Sequence, residues 1–176
     1  MNSKAINILE YDKIISKLVS MATSEPGKKM CQELAPICDS DIIKRTLTET
    51  SDATARIFRA GNLFFRGLTD IRMSLKSLEI GSTLGIRELM NISTLLKITQ
   101  NAGRYNVGKD ESQTTNDSLT GYFDSLVCLN DIHKEIDRCI ISEDEISDDA
   151  SPTLKQIRRQ IALSGERIKS ELSKML

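Results

Sequence analysis

Apolar residues recur along this chain at a period near 3.6, broken by short polar stops, and the pattern predicts one helix after another. Ile8, Leu9, Tyr11, Ile14, Ile15, Leu18, Val19 and Ala22 make one face of an opening helix, with Lys13 and Lys17 on the other side. Ser24 is placed to cap a second helix, with Glu25 and Pro26 in its first turn, where a carboxylate suits the dipole and proline gives up no hydrogen bond. That helix should end near Leu34, because Pro36 disfavours helical geometry at the residue before it. Asp39 or Ser40 caps a third helix with the periodic face Ile43, Leu47, Thr50, Thr54 and Ile57, and Gly61 is a natural terminator.

Asn62–Leu68, with Phe64 and Phe65 between two glycines, reads as an ordered loop. A short helix from Thr69 carries Ile71, Leu75 and Leu78 and stops at Gly81; Ile86–Thr99 is the next, with Leu89, Ile92, Leu96 and Thr99 facing inward. Gly103–Ser118 is polar and nearly free of aliphatics, which predicts a loop. A helix over Leu119–Ile140 follows. The acidic run Glu143–Asp149 reads as a connector, at most a short β-hairpin near 140–148. Ser151 then caps a last helix with Pro152 in its first position. Leu154, Ile157, Ile161, Ser164, Ile168 and Met175 fall on a coiled-coil-like seam with Leu172 beside it. The seam is still running at Leu176 with no stop signal, as expected inside a longer helix. The fold class is therefore all-α: a helical bundle over 1–150, and over 151–176 the start of a lever or coiled-coil helix.

Composition narrows this picture. Hydrophobic residues are 39% and aromatics 4% with no Trp, so Leu and Ile must build the core, which suits helices better than a β-sandwich. The formal net charge is −1, so any nucleic-acid contact has to come from a local patch. Cys31, Cys38, Cys128 and Cys139 form no C-x-x-C pair; a reducing cytoplasm and buried or idle thiols are the simplest reading. No apolar run approaches the roughly 20 residues of a bilayer crossing, so no membrane partner is expected.

Candidate chemistry is sparse. There is no G-x-x-x-x-G-K-[ST] phosphate cradle. The single histidine, His133, would have to carry any general-base, triad or metal role alone, and it reads as a boundary or surface residue. Glu143, Asp144, Glu145, Asp148 and Asp149 lack the order of an EF-hand loop, and Asp148 and Asp149 suit the start of a helix. No catalytic, cofactor or metal residue is assigned. The last helix is basic: Lys155, Arg158, Arg159, Arg167, Lys169 and Lys174 oppose only Glu166 and Glu171. Lys155, Arg158 and Arg159, three and four apart, form one stripe. They are nucleic-acid contact candidates by counterion release, or else the solvated flank of a coiled coil, a reading favoured by the lack of interleaved aromatics.

Several stretches resemble the N-terminal region of the second bacterial branch of the MutS family, the endonuclease-bearing, recombination-suppressing paralogues. Leu9-Glu10-Tyr11-Asp12-Lys13-Ile14 resembles that branch's opening, and Ser24-Glu25-Pro26-Gly27-Lys28 with Leu34-Ala35-Pro36 its next segment. Glu49-Thr50-Ser51-Asp52-Ala53, Gly67-Leu68-Thr69-Asp70-Ile71, and Gly81, Leu84, Glu88 and Leu89 are similar to three more. The most specific is Asp149-Ala150-Ser151-Pro152 with Leu154, Ile157 and Arg158, which resembles the root of the family's lever helix. Two positions depart from the pattern. Asp144-Glu145-Ile146 lacks the glycine of the family's turn, which puts a tight hairpin in doubt, and Gly85 stands where a capping serine is common.

The resemblance implies the core and ascending-lever part of such a protein. Mismatch-reading domains would be absent before it, and clamp, ATPase and nuclease domains would lie beyond Leu176. It implies a homodimeric DNA-binding ATPase and endonuclease, using ATP and Mg, that restrains recombination on branched or recombination-intermediate DNA. Members are also implicated in rescuing collided ribosomes, so ribosomal RNA is the alternative partner. A freestanding helical interaction module is the third reading.

Overall fold

A computed structural model describes residues 8–107 and 116–175. Eight α-helices lie among them: α1 (Tyr11–Met21), α2 (Glu25–Gln32), α3 (Ser40–Ala60), α4 (Arg72–Glu79), α5 (Ile86–Val107), α6 (Thr120–Asp124), α7 (Asn130–Cys139) and α8 (Pro152–Met175). The only strands among the described residues, β1 (Ile140–Ser142) and β2 (Glu145–Ile146), form one antiparallel hairpin. The fold is all-α.

Several helix ends follow from the local chemistry, although α1, α4, α6 and α7 begin without a side-chain cap. Ser24 Oγ accepts from Gly27 N at 3.1 Å, and a Cβ at Gly27 would stand 2.8 Å from that oxygen, so the cap and the glycine require each other. Asp39 accepts from Asp41 and Ile42 at 2.9 and 3.1 Å. At the end of α4, Ser82 N donates to Ser77 O and Gly81 N to Leu78 O, both at 2.9 Å, with Gly81 at φ +81°. This is the paired C-terminal motif that a left-handed glycine permits.

Four expectations change. The apolar face of α3 is exposed at Ile43, Leu47 and Ile57, while Glu49, Asp52, Ala53 and Arg56 are the covered positions. The reason is specific pairing: the polar stripe finds partners in residues 117–122, and Thr50 and Thr54 satisfy their own hydroxyls on Thr46 O and Thr50 O. Second, α5 continues two turns past Thr99 to Val107, so the first part of the expected Gly103–Ser118 loop is helical. Tyr105 there donates to Gly61 O at 3.1 Å, and Asn106 bonds Arg56, so tertiary contacts hold a polar stretch helical. The rest of that expected loop, 108–115, lies outside the described residues.

Third, the single helix expected over Leu119–Ile140 is two helices, α6 and α7. Ser125 Oγ caps α6 from within by bonding Tyr122 O at 2.7 Å, and Leu126-Val127-Cys128-Leu129 is a run with no polar side, which a one-faced helix cannot accommodate. Fourth, the hairpin forms without the family's glycine. Among the described residues only Glu10 is a non-glycine at positive φ, so the Glu143–Asp144 turn avoids the left-handed region, and an irregularity between Ile140 and Ser142 absorbs the register.

α5 is the most covered helix, packing on α7 and α6, and Ile98 and Ala102 are the buried apolar residues among those described. α1 packs on α2, and Tyr11, Ile15 and Val19 are its half-covered positions while Ile14 and Leu18 are exposed. The chain exposes 13798 Å², against roughly 8,600 Å² for a compact monomer of this mass. Much of its apolar surface is therefore uncovered.

Candidate functional site

Between α7 and α8 the chain passes through the β1–β2 hairpin and a 3-10 turn, each fixed by short-range hydrogen bonds. Ser147 N donates to Cys139 O at 2.8 Å, closing the hairpin. Ser147 Oγ accepts from Asp149 N at 3.1 Å and opens a 3-10 turn over Asp148–Ala150. Ser151 Oγ then accepts from Leu154 N at 3.0 Å, with Pro152 in the first helical position. Asp148 and Asp149 thus sit against the positive end of the α8 dipole.

The same two acids take the side chains one turn into α8. Lys155 Nζ donates to Asp149 Oδ1 at 2.9 Å, which raises the ammonium's affinity for its proton and lowers that of the carboxylate. Arg158 bonds the Asp148 carboxylate and donates to Ile146 O at 2.8 Å. From the other side, Arg138 of α7 reaches Asp149 O while also holding Glu135. The 3-10 turn is therefore gripped by cations from two helices.

Of the three basic candidates, the structure gives Lys155 and Arg158 to this clasp. Arg159 is exposed and has no ionic partner among the described residues. A phosphate approaching this face would meet Arg159 directly and would compete with Asp148 and Asp149 for the other two. Beyond the clasp, Ile157, Ile161, Ile168, Leu172 and Met175 present an exposed apolar seam, half-covered only at Leu154.

Two further clusters were not visible in the sequence. Arg56 on α3 is 3% exposed and binds Asp117 with two 2.6 Å contacts, through Nε and Nη2. Its Nη1 donates to Asn106 at 2.8 Å, its Nη2 also to Thr120, and its guanidinium carbon lies 4.6 Å from the centre of the Phe123 ring. One turn back, Asp52 accepts from Ser118 N and Oγ, and Glu49 accepts from Tyr122. The acids of the Glu49–Ala53 stretch therefore dock residues 117–122. Arg56 and Asp117 are 61 positions apart, and no local pattern links them.

The other cluster lies between α5 and α7. His133 is mostly covered, at the boundary rather than the surface of the two alternatives read from the sequence. Ser93 Oγ is 2.8 Å from His133 Nδ1 and 2.6 Å from Asp137 Oδ1. A hydroxyl has one proton. Serine gives it to the carboxylate, so the imidazole must donate from Nδ1. That order is the reverse of a nucleophilic triad, in which histidine takes the serine proton. Cys38 and Cys128 are exposed and Cys31 and Cys139 half-covered, so of the two readings, buried or idle, burial does not hold; all four are free. Among the described residues, no group of three or more His, Cys, Asp or Glu is placed to hold a metal, and no helix is long and apolar enough to cross a membrane.

No family model matches the chain. Known relatives do. It is 43% identical, over its full length and 23% of the relative's, to a protein named Endonuclease MutS2 from Lachnoclostridium phytofermentans. It is 42% identical to proteins of the same name from Lachnospira eligens and Acetivibrio thermocellus, again along its whole length and 22% of theirs. The chain spans less than a quarter of the relatives it matches.

Proposed function

The chain corresponds from end to end to the N-terminal region of MutS2-type proteins, and on that premise we propose that it is the non-catalytic core and lever root of a MutS-family ATPase and endonuclease. In this reading residues 1–150 form the core, 151–176 begin the lever, and a P-loop ATPase using ATP and Mg, a clamp and a nuclease domain belong to the remainder of the protein. The substrate class is branched or recombination-intermediate DNA. Ribosomal RNA is the alternative substrate, since the basic face of α8 suits either polyphosphate equally.

The observation that carries the reading is the clasp at the foot of α8. A long helix transmits a rotation only if its root cannot swivel, and a rigid two-position element is what coupling between distant sites needs. Asp148 and Asp149, held by Lys155 and Arg158 from α8 and by Arg138 from α7, join that helix to the bundle. The test is made in the full-length protein, by measuring ATP-dependent release of branched DNA alongside ATP turnover. Asp148→Ala with Arg158→Ala is expected to leave turnover intact and to abolish the dependence of release on ATP. A doubly substituted protein that folds and still couples the two would overturn the proposal.

A further inference from the structure

Five of the chain's seven aromatic residues, Phe64, Phe65, Tyr105, Tyr122 and Phe123, line one groove between the end of α3, the loop after it and the ends of α5 and α6. Its volume is about 480 Å³, well above the roughly 150 Å³ cavity that accepts a benzene ring. The Tyr105 and Phe123 rings are 6.0 Å apart, and the Arg56 guanidinium lies 4.6 Å from the centre of the second, so three planar groups are gathered on one side. Phe64, 74% exposed, stands at the rim. The described lining holds no carboxylate, and the charge of Arg56 is neutralised by Asp117. The interior suits a planar, uncharged ring.

The rim has a different character. Leu68 N donates to Phe65 O at 3.2 Å and Gly67 is at φ +81°, which makes Phe65–Leu68 a tight turn with Arg66 at its outer corner. Arg104 precedes Tyr105, whose hydroxyl donates to Gly61 O at 3.1 Å and ties the other end of the loop to α5. Arg66 and Arg104 are exposed, and neither pairs with a carboxylate among the described residues. Aromatic rings interleaved with arginines are what the basic stripe of α8 lacks. The combination holds single-stranded nucleic acid, because rings stack on bases while cations track the phosphates.

We propose that this groove takes one unpaired base of a branched DNA, stacked on Phe64 and the rings behind it, with Arg66 and Arg104 on the flanking phosphates. The inference rests on the reading of branched DNA as the substrate and adds a site in the core, separate from the α8 face. A base within a duplex has both faces covered by its neighbours, and drawing it out costs unstacking energy that an already unpaired base does not. Branch points supply such bases. The hydroxyls of Tyr105 and Tyr122 are bonded to Gly61 O and Glu49, which leaves little in the groove to read a base edge. The site therefore accepts any base.

The test uses the full-length protein with a forked DNA that carries 2-aminopurine in its single-stranded arm, and a blunt duplex as reference. Binding of the fork is expected to quench the 2-aminopurine emission by stacking. Phe64→Ala should abolish the quench and lower the ratio of fork to duplex affinity about tenfold, the scale of one lost base–aromatic stack. Arg66→Ala should lower the same ratio and reduce the salt dependence of fork binding by about one phosphate contact. Circular dichroism checks that each variant is folded. A fork that binds without quenching, or a quench and ratio that survive Phe64→Ala, would overturn the proposal and leave the DNA reading standing; a groove filled by another part of the protein gives the first of these results. Failure to bind fork and duplex alike would overturn both.

Discussion

Two parts of this molecule use the same pairing of a cation with a carboxylate, to different ends. In the first, Arg56 and Asp117 meet across 61 residues with side chains only 4% and 12% exposed. In the second, Lys155 and Arg158 meet Asp149 and Asp148 within 6 and 10 residues, at an open surface. Water decides the difference. A buried pair has already lost hydration, so removing one partner strands the other charge, whereas an exposed ion is resolvated when its partner leaves. The first pairing holds the fold together. The second fixes a direction.

The largest expected effect breaks the buried pair. Asp117→Ala should cost about 3 to 5 kcal/mol in urea denaturation, and adding Arg56→Met should recover much of it, because no orphaned charge then remains. A single variant that loses less than the double one would erase the distinction drawn here.

A smaller effect sharpens the comparison through pH. The Arg56 guanidinium, by direct hydrogen bonding, holds the Asp117 carboxyl at about 2 against its usual 3.8. A carboxyl depressed on folding adds stability that is complete above the higher value and disappears as pH falls through the lower one. Wild-type stability should therefore drop between about pH 4 and 2 by about 2 kcal/mol more than that of Asp117→Asn, which has no carboxylate to protonate. Parallel acid unfolding curves would count against the pair.

The smallest effect concerns the clasp. Arg158→Ala should leave the urea midpoint within error while speeding amide exchange at 148–155, and high salt should do the same to the unsubstituted chain. A global loss of stability would mean that the clasp, too, holds the fold.

Sequence reading succeeds here where the deciding chemistry is local. Ser24, Asp39, Ser151, Pro152, Gly61 and Gly81 all mark their ends correctly, because a cap and its partner lie within four or five residues of each other. The family resemblance was legible for the same reason, being carried by short ordered motifs. The covered side of α3 was not, since aliphatic periodicity pointed to Ile43, Leu47 and Ile57 while distant polar partners chose Glu49, Asp52 and Arg56. The Ser93–His133–Asp137 contacts were hidden likewise: His133 and Asp137 share a helix, but Ser93 comes from 40 residues away. Of the basic stripe, residue type and spacing were readable; the acids that occupy two of its three members were read only as helix-dipole partners.

The 24 residues of α8 make a rod roughly 36 Å long. Its clasp engages only Lys155 and Arg158, within the first seven residues, roughly the first 10 Å. The helix is thus a cantilever with a short footing, and each degree of tilt at that footing carries Met175 sideways by about 0.6 Å. A displacement of about 0.3 Å at Arg158, small enough to keep its hydrogen bonds, becomes about 1 Å at Met175.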